Sequence, residues 1–227
     1  MCKNGCESLW SLVLACCLNL LPSSGTQAAL ISADLLAPGD GLITRDTATN
    51  LDWLDLTPTI GLSFNQVAGG AGGWTSLGFR YATTTEVMGL YTDAGIVIFG
   101  GTTSPLNVPG VSLLLGLMGI TSTVGPTPSE TAIGLAESVP PDPTFAGTGF
   151  ITLFPALPPS TPVDIASAAV TSAPFPGLPS KSEGSNQRGS YLVRTAVIGT
   201  VPEPAISSLI LLGIAVAGLV SRRRNLH

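Results

Sequence analysis

An uncharged apolar run at residues 205–220 limits most strongly what this chain can fold into. Sixteen residues without a charge must be covered by protein or by lipid, because apolar surface is unfavourable in water. The run is bracketed by Pro202-Glu203-Pro204 before it and by Arg222, Arg223 and Arg224 after it. The prolines cannot extend a helix backwards, so a helix starts cleanly behind them. The arginines stop it and favour the cytoplasmic side of a bilayer. At about 1.5 Å per residue the run spans about 24 Å, somewhat short of a hydrocarbon core of about 30 Å. Arginine stems make up part of the difference by snorkelling. The reading predicts a transmembrane helix over 205–220, with the rest of the chain outside and the arginines inside.

This three-part order, over Val201–Arg224, resembles the PEP-CTERM sorting signal of Gram-negative bacteria. The resemblance implies that residues 201–227 are a sorting tail handed to a membrane-embedded processing enzyme, an exosortase. It also implies that the body is then released or displayed outside the cell, often alongside exopolysaccharide. An ordinary single-pass anchor is the alternative. It has the same topology but does not need Pro202-Glu203-Pro204.

The other end reads as an export signal over residues 1–28. Lys3 lies before an apolar stretch from Leu9 to Leu21, and Thr26-Gln27-Ala28 supplies small residues at a cleavage site. Cleavage after Ala29 is an alternative. So is lipidation of Cys16, since Leu12 to Cys16 partly matches a lipoprotein box.

All four cysteines (Cys2, Cys6, Cys16, Cys17) fall in that signal, and the one histidine is His227. Between Leu30 and Thr200 there is neither Cys nor His. That removes Ser-His-Asp triads, cysteine nucleophiles, histidine bases and His-ligated zinc from the body. The expectation is no catalytic residue, no metal and no cofactor. Residues 29–201 carry five basic side chains against twelve acidic ones, a net charge of −7. Such a surface offers no basic stripe for nucleic acid.

The body, residues 29–200, is about 170 residues long and suits one domain. Strands are predicted at Leu30–Leu36, Gly41–Asp46, Leu51–Leu56 and Phe79–Ala82. Asn50 suits the left-handed position of the turn joining the second and third. Ser63 to Gln66 and Thr83 to Glu86 both have the spacing of capping boxes, which start helices at 63–68 and after Thr83. Val87, Leu90, Tyr91 and Ala94 share a face, and Gly95 ends that helix. Pro109 opens a third helix, closed by Gly119. Ten of the 19 prolines lie between Pro140 and Pro179, so residues 139–180 are expected to be irregular, with edge strands near 149–154 and 163–170. Tyr191–Arg194 is read as the last strand.

Three pieces of the body, Asn50–Asp55, Gly73–Val87 and Gly189–Arg194, resemble a family of secreted bacterial domains of unassigned function. That family is distantly similar to the C-type-lectin-like fold. The resemblance implies paired first and last strands, helices on one side and a long loop-rich excursion. The expected class is therefore α+β: a small antiparallel sheet, two or three short helices, a proline-rich excursion, and terminal signal and transmembrane helices.

Trp53, Trp74, Arg80 and Tyr81 are the candidate ligand-binding residues, either as a stacking platform for a sugar ring or as core and ion-pair residues. Asp46, Asp52 and Asp55 are weighed as calcium ligands against turn and cap duties. Asp52 and Glu86 are weighed as a carboxylate pair, with pairing to Arg80 and Arg194 as the alternative. The functional expectation is a non-enzymatic protein of the cell surface or extracellular matrix, with the membrane and an exosortase as partners and polysaccharide as a candidate ligand. The alternative is a permanently anchored lectin-like glycan-binding module.

Overall fold

The computed structural model describes residues 29–124, 129–156, 163–172 and 177–196. The signal at 1–28, Pro202-Glu203-Pro204, the helix expected over 205–220 and Arg222–Arg224 lie outside the described residues. The chain divides into two compact units, Met1–Arg194 and Thr195–His227.

The body is α+β, with two antiparallel sheets rather than one. Strands β1 (Leu30–Ala33), β2 (Ile43–Asp46) and β3 (Leu51–Leu54) form a meander, in which Arg45 lies opposite Asp52 and Asp46 opposite Leu51. The β2–β3 turn closes because Asn50 takes φ 57°. Asp46 braces it by accepting from the amides of Ala48 and Thr49 and from the Thr49 hydroxyl. Helix α1 (Phe64–Ala68) follows, and its Ser63–Gln66 capping box is formed on both sides. Strand β4 (Arg80–Tyr81) leads into α2 (Thr84–Asp93), which starts on the reciprocal Thr83–Glu86 box. Helix α3 (Val108–Met118) has Pro109 in its first turn and ends at Gly119.

The second sheet corrects the sequence reading. Strands β5 (Ser122–Val124), β6 (Ser129–Ala136), β7 (Gly147–Phe154) and β8 (Ile165–Thr171) pair in that order. Seven residue pairs join β6 to β7 and seven join β7 to β8, so 139–180 holds a central strand, β7, as well as the edge strand β8 and loops. All ten prolines of that region lie outside β7 and β8, and none interrupts β6. Proline therefore punctuates this sheet without entering its ladders. The edge of β8 is covered by residues 101–104: Gly101 N–H donates to Ala168 O, and Ser104 exchanges two backbone bonds with Ala166.

Strand β9 (Gly189–Ser190) runs parallel to β6, and one residue later β10 (Leu192–Thr195) joins the first sheet between β3 and β4. The first and last strands are thus not neighbours, contrary to the lectin-like expectation. The chain crosses between sheets at Tyr191, whose amide donates to Leu135 O and whose carbonyl accepts from Ala82 N–H.

One core is lined by both sheets and two helices: Trp53, Tyr191, Val193 and Ile151 meet Val87, Leu90 and Tyr91 of α2 and Val111, Leu114 and Met118 of α3. A second core lies on the other face of the first sheet, where Ile43, Leu54 and Leu192 pack with Val67, Trp74 and Phe79. Alternation along a strand explains the split, because neighbours point to opposite faces.

Candidate functional site

Arg80 and Tyr81 are neighbours on β4. The Arg80 guanidinium holds Glu86 through two bonds, Nη2–Oε1 at 2.6 Å and Nη1–Oε2 at 2.9 Å, and Nη1 also donates to Tyr81 O. Glu86 is already the return half of the α2 capping box, accepting from the Thr83 amide at 2.8 Å. The Arg80 contact, followed by the Thr83 amide and hydroxyl, holds the Glu86 carboxyl down at about 2. Arg80 therefore locks the start of α2 to β4.

The Tyr81 ring stacks on Phe64, with centroids 3.7 Å apart and planes 12° from parallel. Its hydroxyl lies 3.0 Å from Ser190 Oγ. The opposite face of that stack is not open either, since Lys181 Nζ sits 4.3 Å from the Phe64 centroid while bonding Glu137 at 2.7 Å.

Trp53 is 1% exposed and meets Tyr191 edge-on at 6.4 Å. Trp74 is 9% exposed, in the second core. The two indoles therefore face opposite sides of the first sheet. The four candidate residues do not converge on one surface: two are core, one is stacked internally and one is ion-paired. The reason is the shortage of large side chains in a chain with 6% aromatic residues, where burying an indole is among the largest single apolar gains available.

The three aspartates also part company. Asp46 serves the turn. Asp52 is fully buried, bonded by Arg45 Nε at 2.7 Å and Nη2 at 3.1 Å, with Arg194 Nη2 at 3.5 Å. Arg194 lies 4.7 Å over the Phe79 ring and donates to Leu77 O. Among the described residues, no three His, Cys, Asp or Glu side chains gather as a metal would require. Asp52 and Glu86 are each held by arginine, so neither stands free as an acid or base.

Asp55 differs. Its Oδ1 is buried with no hydrogen-bond partner among the described residues. Burial, then the nearby Asp40 carboxylate, pushes its carboxyl up to about 7. The neutral acid is the form the fold prefers. Its contribution is complete below an ordinary carboxylate value of 3.8 and is lost as pH rises through about 7. Discounted for solvent reaching a half-buried group, the loss is about 1–2 kcal/mol. Asp55→Asn, which copies the neutral acid, should match the parent at pH 4 and melt higher at pH 8. Equal melting temperatures for the two proteins at pH 8 would contradict this.

The body thus defines an α+β domain braced by internal pairs, and the chemistry that marks the chain lies in its tail. Comparison with known families identifies residues 200–224 as a PEP-CTERM protein-sorting motif. The motif implies an exported chain sorted by an exosortase, with a transient membrane-held intermediate before surface display. No curated protein and no solved structure matches the chain. Among the described residues no helix is long and apolar enough to cross a membrane.

Proposed function

We propose that this is a non-enzymatic structural protein of the cell surface or extracellular matrix, processed at Pro202-Glu203-Pro204 and deposited alongside exopolysaccharide. The observation that carries the reading is the sorting motif at 200–224. It is supported by a body lacking Cys and His between Leu30 and Thr200. It is supported also by the use of Arg45, Arg80, Lys181 and Arg194 in internal ion pairs. The anchored lectin-like alternative needs an outward stacking surface, and Trp53, Trp74 and Tyr81 are committed to internal contacts.

Replacing Pro202, Glu203 and Pro204 by alanine should leave the body folded and held in the membrane fraction. The parent should appear outside the cell, shortened by the mass of its tail. Cell fractionation with intact-mass measurement reads both. Undiminished extracellular delivery of the triple variant would sink the proposal.

A further inference from the structure

Among the described residues the outer face of α3 is left partly open. Its inner face, Val111, Leu114, Leu115 and Met118, belongs to the main core. Its outer face presents Leu113 at 41% exposure, and Leu106, one heptad earlier, is 65% exposed. Val97, 63% exposed, adjoins them, because Asn107 Oδ1 accepts from the Val97 and Ile98 amides. No charged residue occurs from Ala94 to Ser129. Ser112 and Gly116 are exposed beside Leu113, so the outer face is uncharged and partly apolar. A helix with so little polar surface is normally enclosed, in a large core or in lipid.

Two observations say what covers it. The first is the length of the connection. Nine residues, 196–204, separate β10 from the apolar run, and nine extended residues reach at most about 30 Å. A body of about 170 residues has a radius of gyration of about 15 Å, so during the membrane-held stage it stays within roughly its own diameter of the bilayer. The second is where the chain leaves the body. Arg194 reaches Asp52, which lies opposite Arg45 beside the β2–β3 turn. Asp46 of that turn neighbours Asp93 at the end of α2. Ala94 and Ile96, just beyond, touch Gly110 in the first turn of α3. The exit of the chain and the amino end of α3 therefore share one end of the body. A body of net charge −7 gains nothing from facing anionic lipid with its acidic surfaces, whereas this end offers an uncharged, partly apolar face.

We propose that the outer face of α3, with Val97 and Leu106, rests on the bilayer surface while the tail holds the protein in the membrane. Release of the tail then frees that face. The proposal rests on the membrane-held intermediate that the sorting motif implies, and the test separates the two. The full chain is reconstituted in phosphatidylethanolamine–phosphatidylglycerol vesicles, with Leu113→Trp as reporter and Leu36→Trp as control. Flotation with the vesicles reports the held state. In floating protein, lipids brominated along their acyl chains should quench the Leu113→Trp emission about twofold more than the Leu36→Trp emission, as expected for a side chain about 5–10 Å into the headgroup–acyl boundary. Equal quenching at the two positions in floating protein overturns the lipid contact and leaves the sorting reading standing. A blue-shifted, unquenched Leu113→Trp whose shift grows with protein density assigns the face to a second copy and also overturns it. Failure to float overturns both readings.

Discussion

Replacing Tyr191 by alanine should unfold most of the body's stability margin. Tyr191 is fully buried, lies edge-on to both Trp53 and Tyr91, and sits where the chain steps directly from the second sheet to the first. Its ring is seated over two glycines. A Cβ built at Gly134 would lie 2.5 Å from the ring, and one at Gly149 3.1 Å from it. Those two glycines have no side chain to fill the vacated space, so truncation should cost about 3–5 kcal/mol, against a total of about 5–15 kcal/mol for a domain. Burial holds the Tyr91 and Tyr191 hydroxyls protonated, and each is the other's partner at 2.7 Å. Tyr191→Phe alone should cost about 1–3 kcal/mol, because it strands the Tyr91 hydroxyl. The Tyr91→Phe/Tyr191→Phe double variant should recover part of that loss. Denaturant midpoints of the four proteins test this, and an alanine variant within 1 kcal/mol of the parent would refute the keystone role.

Asp52→Ala should be nearly as damaging. The carboxylate is wholly buried and receives Arg45 and Arg194. Arg194 Nε already lacks a partner among the described residues. Removing the acid leaves two guanidinium groups, 31% and 18% exposed, without their counter-charge. Breaking a buried pair in this way costs about 3–5 kcal/mol. Asp52→Asn keeps an acceptor and should lose less. Arg45→Met together with Asp52→Leu should be better tolerated than Asp52→Ala, since an apolar pair leaves fewer stranded charges. An alanine variant that unfolds at the parent's denaturant midpoint would show that the cluster contributes nothing.

The local rules were legible. Ser63-Gln66 and Thr83-Glu86 form capping boxes because each needs only four consecutive residues and its own backbone amides. Asn50 was identifiable as the left-handed turn residue for the same reason. The alternation of Leu51 and Trp53 placed both toward one core. Strand β6 was invisible: Ser129–Ala136 is short of β-branched residues and follows no period-two pattern. It is a strand because β7 and Tyr191 lie against it, a non-local fact. Strands β7 and β8 fall where the sequence placed strands, near 149–154 and 163–170, but their pairing into one sheet was not legible; their small side chains let α2, α3 and Tyr191 approach that sheet. Proline density misled because it was averaged over forty residues, whereas only its position relative to each ladder matters.

The fate of Trp53 and Trp74 shows the same boundary. Composition named them as the residues most able to bind or to stabilise, but which side of the first sheet each occupies follows from the pairing of β3 with its neighbours and from the packing of residues 71–77 against the sheet. The sorting motif lies at the opposite extreme. Its order of prolines, uncharged run and arginines is written in consecutive residues and is read by lipid and by an enzyme, so it needs no fold to be recognised. Sequence alone therefore determined the sorting of this chain and the starts of its helices, since both depend on neighbours along the backbone. The second sheet, the Tyr191 crossing, the buried arginine cluster and the partly open face of α3 were decided by tertiary structure, because each depends on residues brought together from distant parts of the chain.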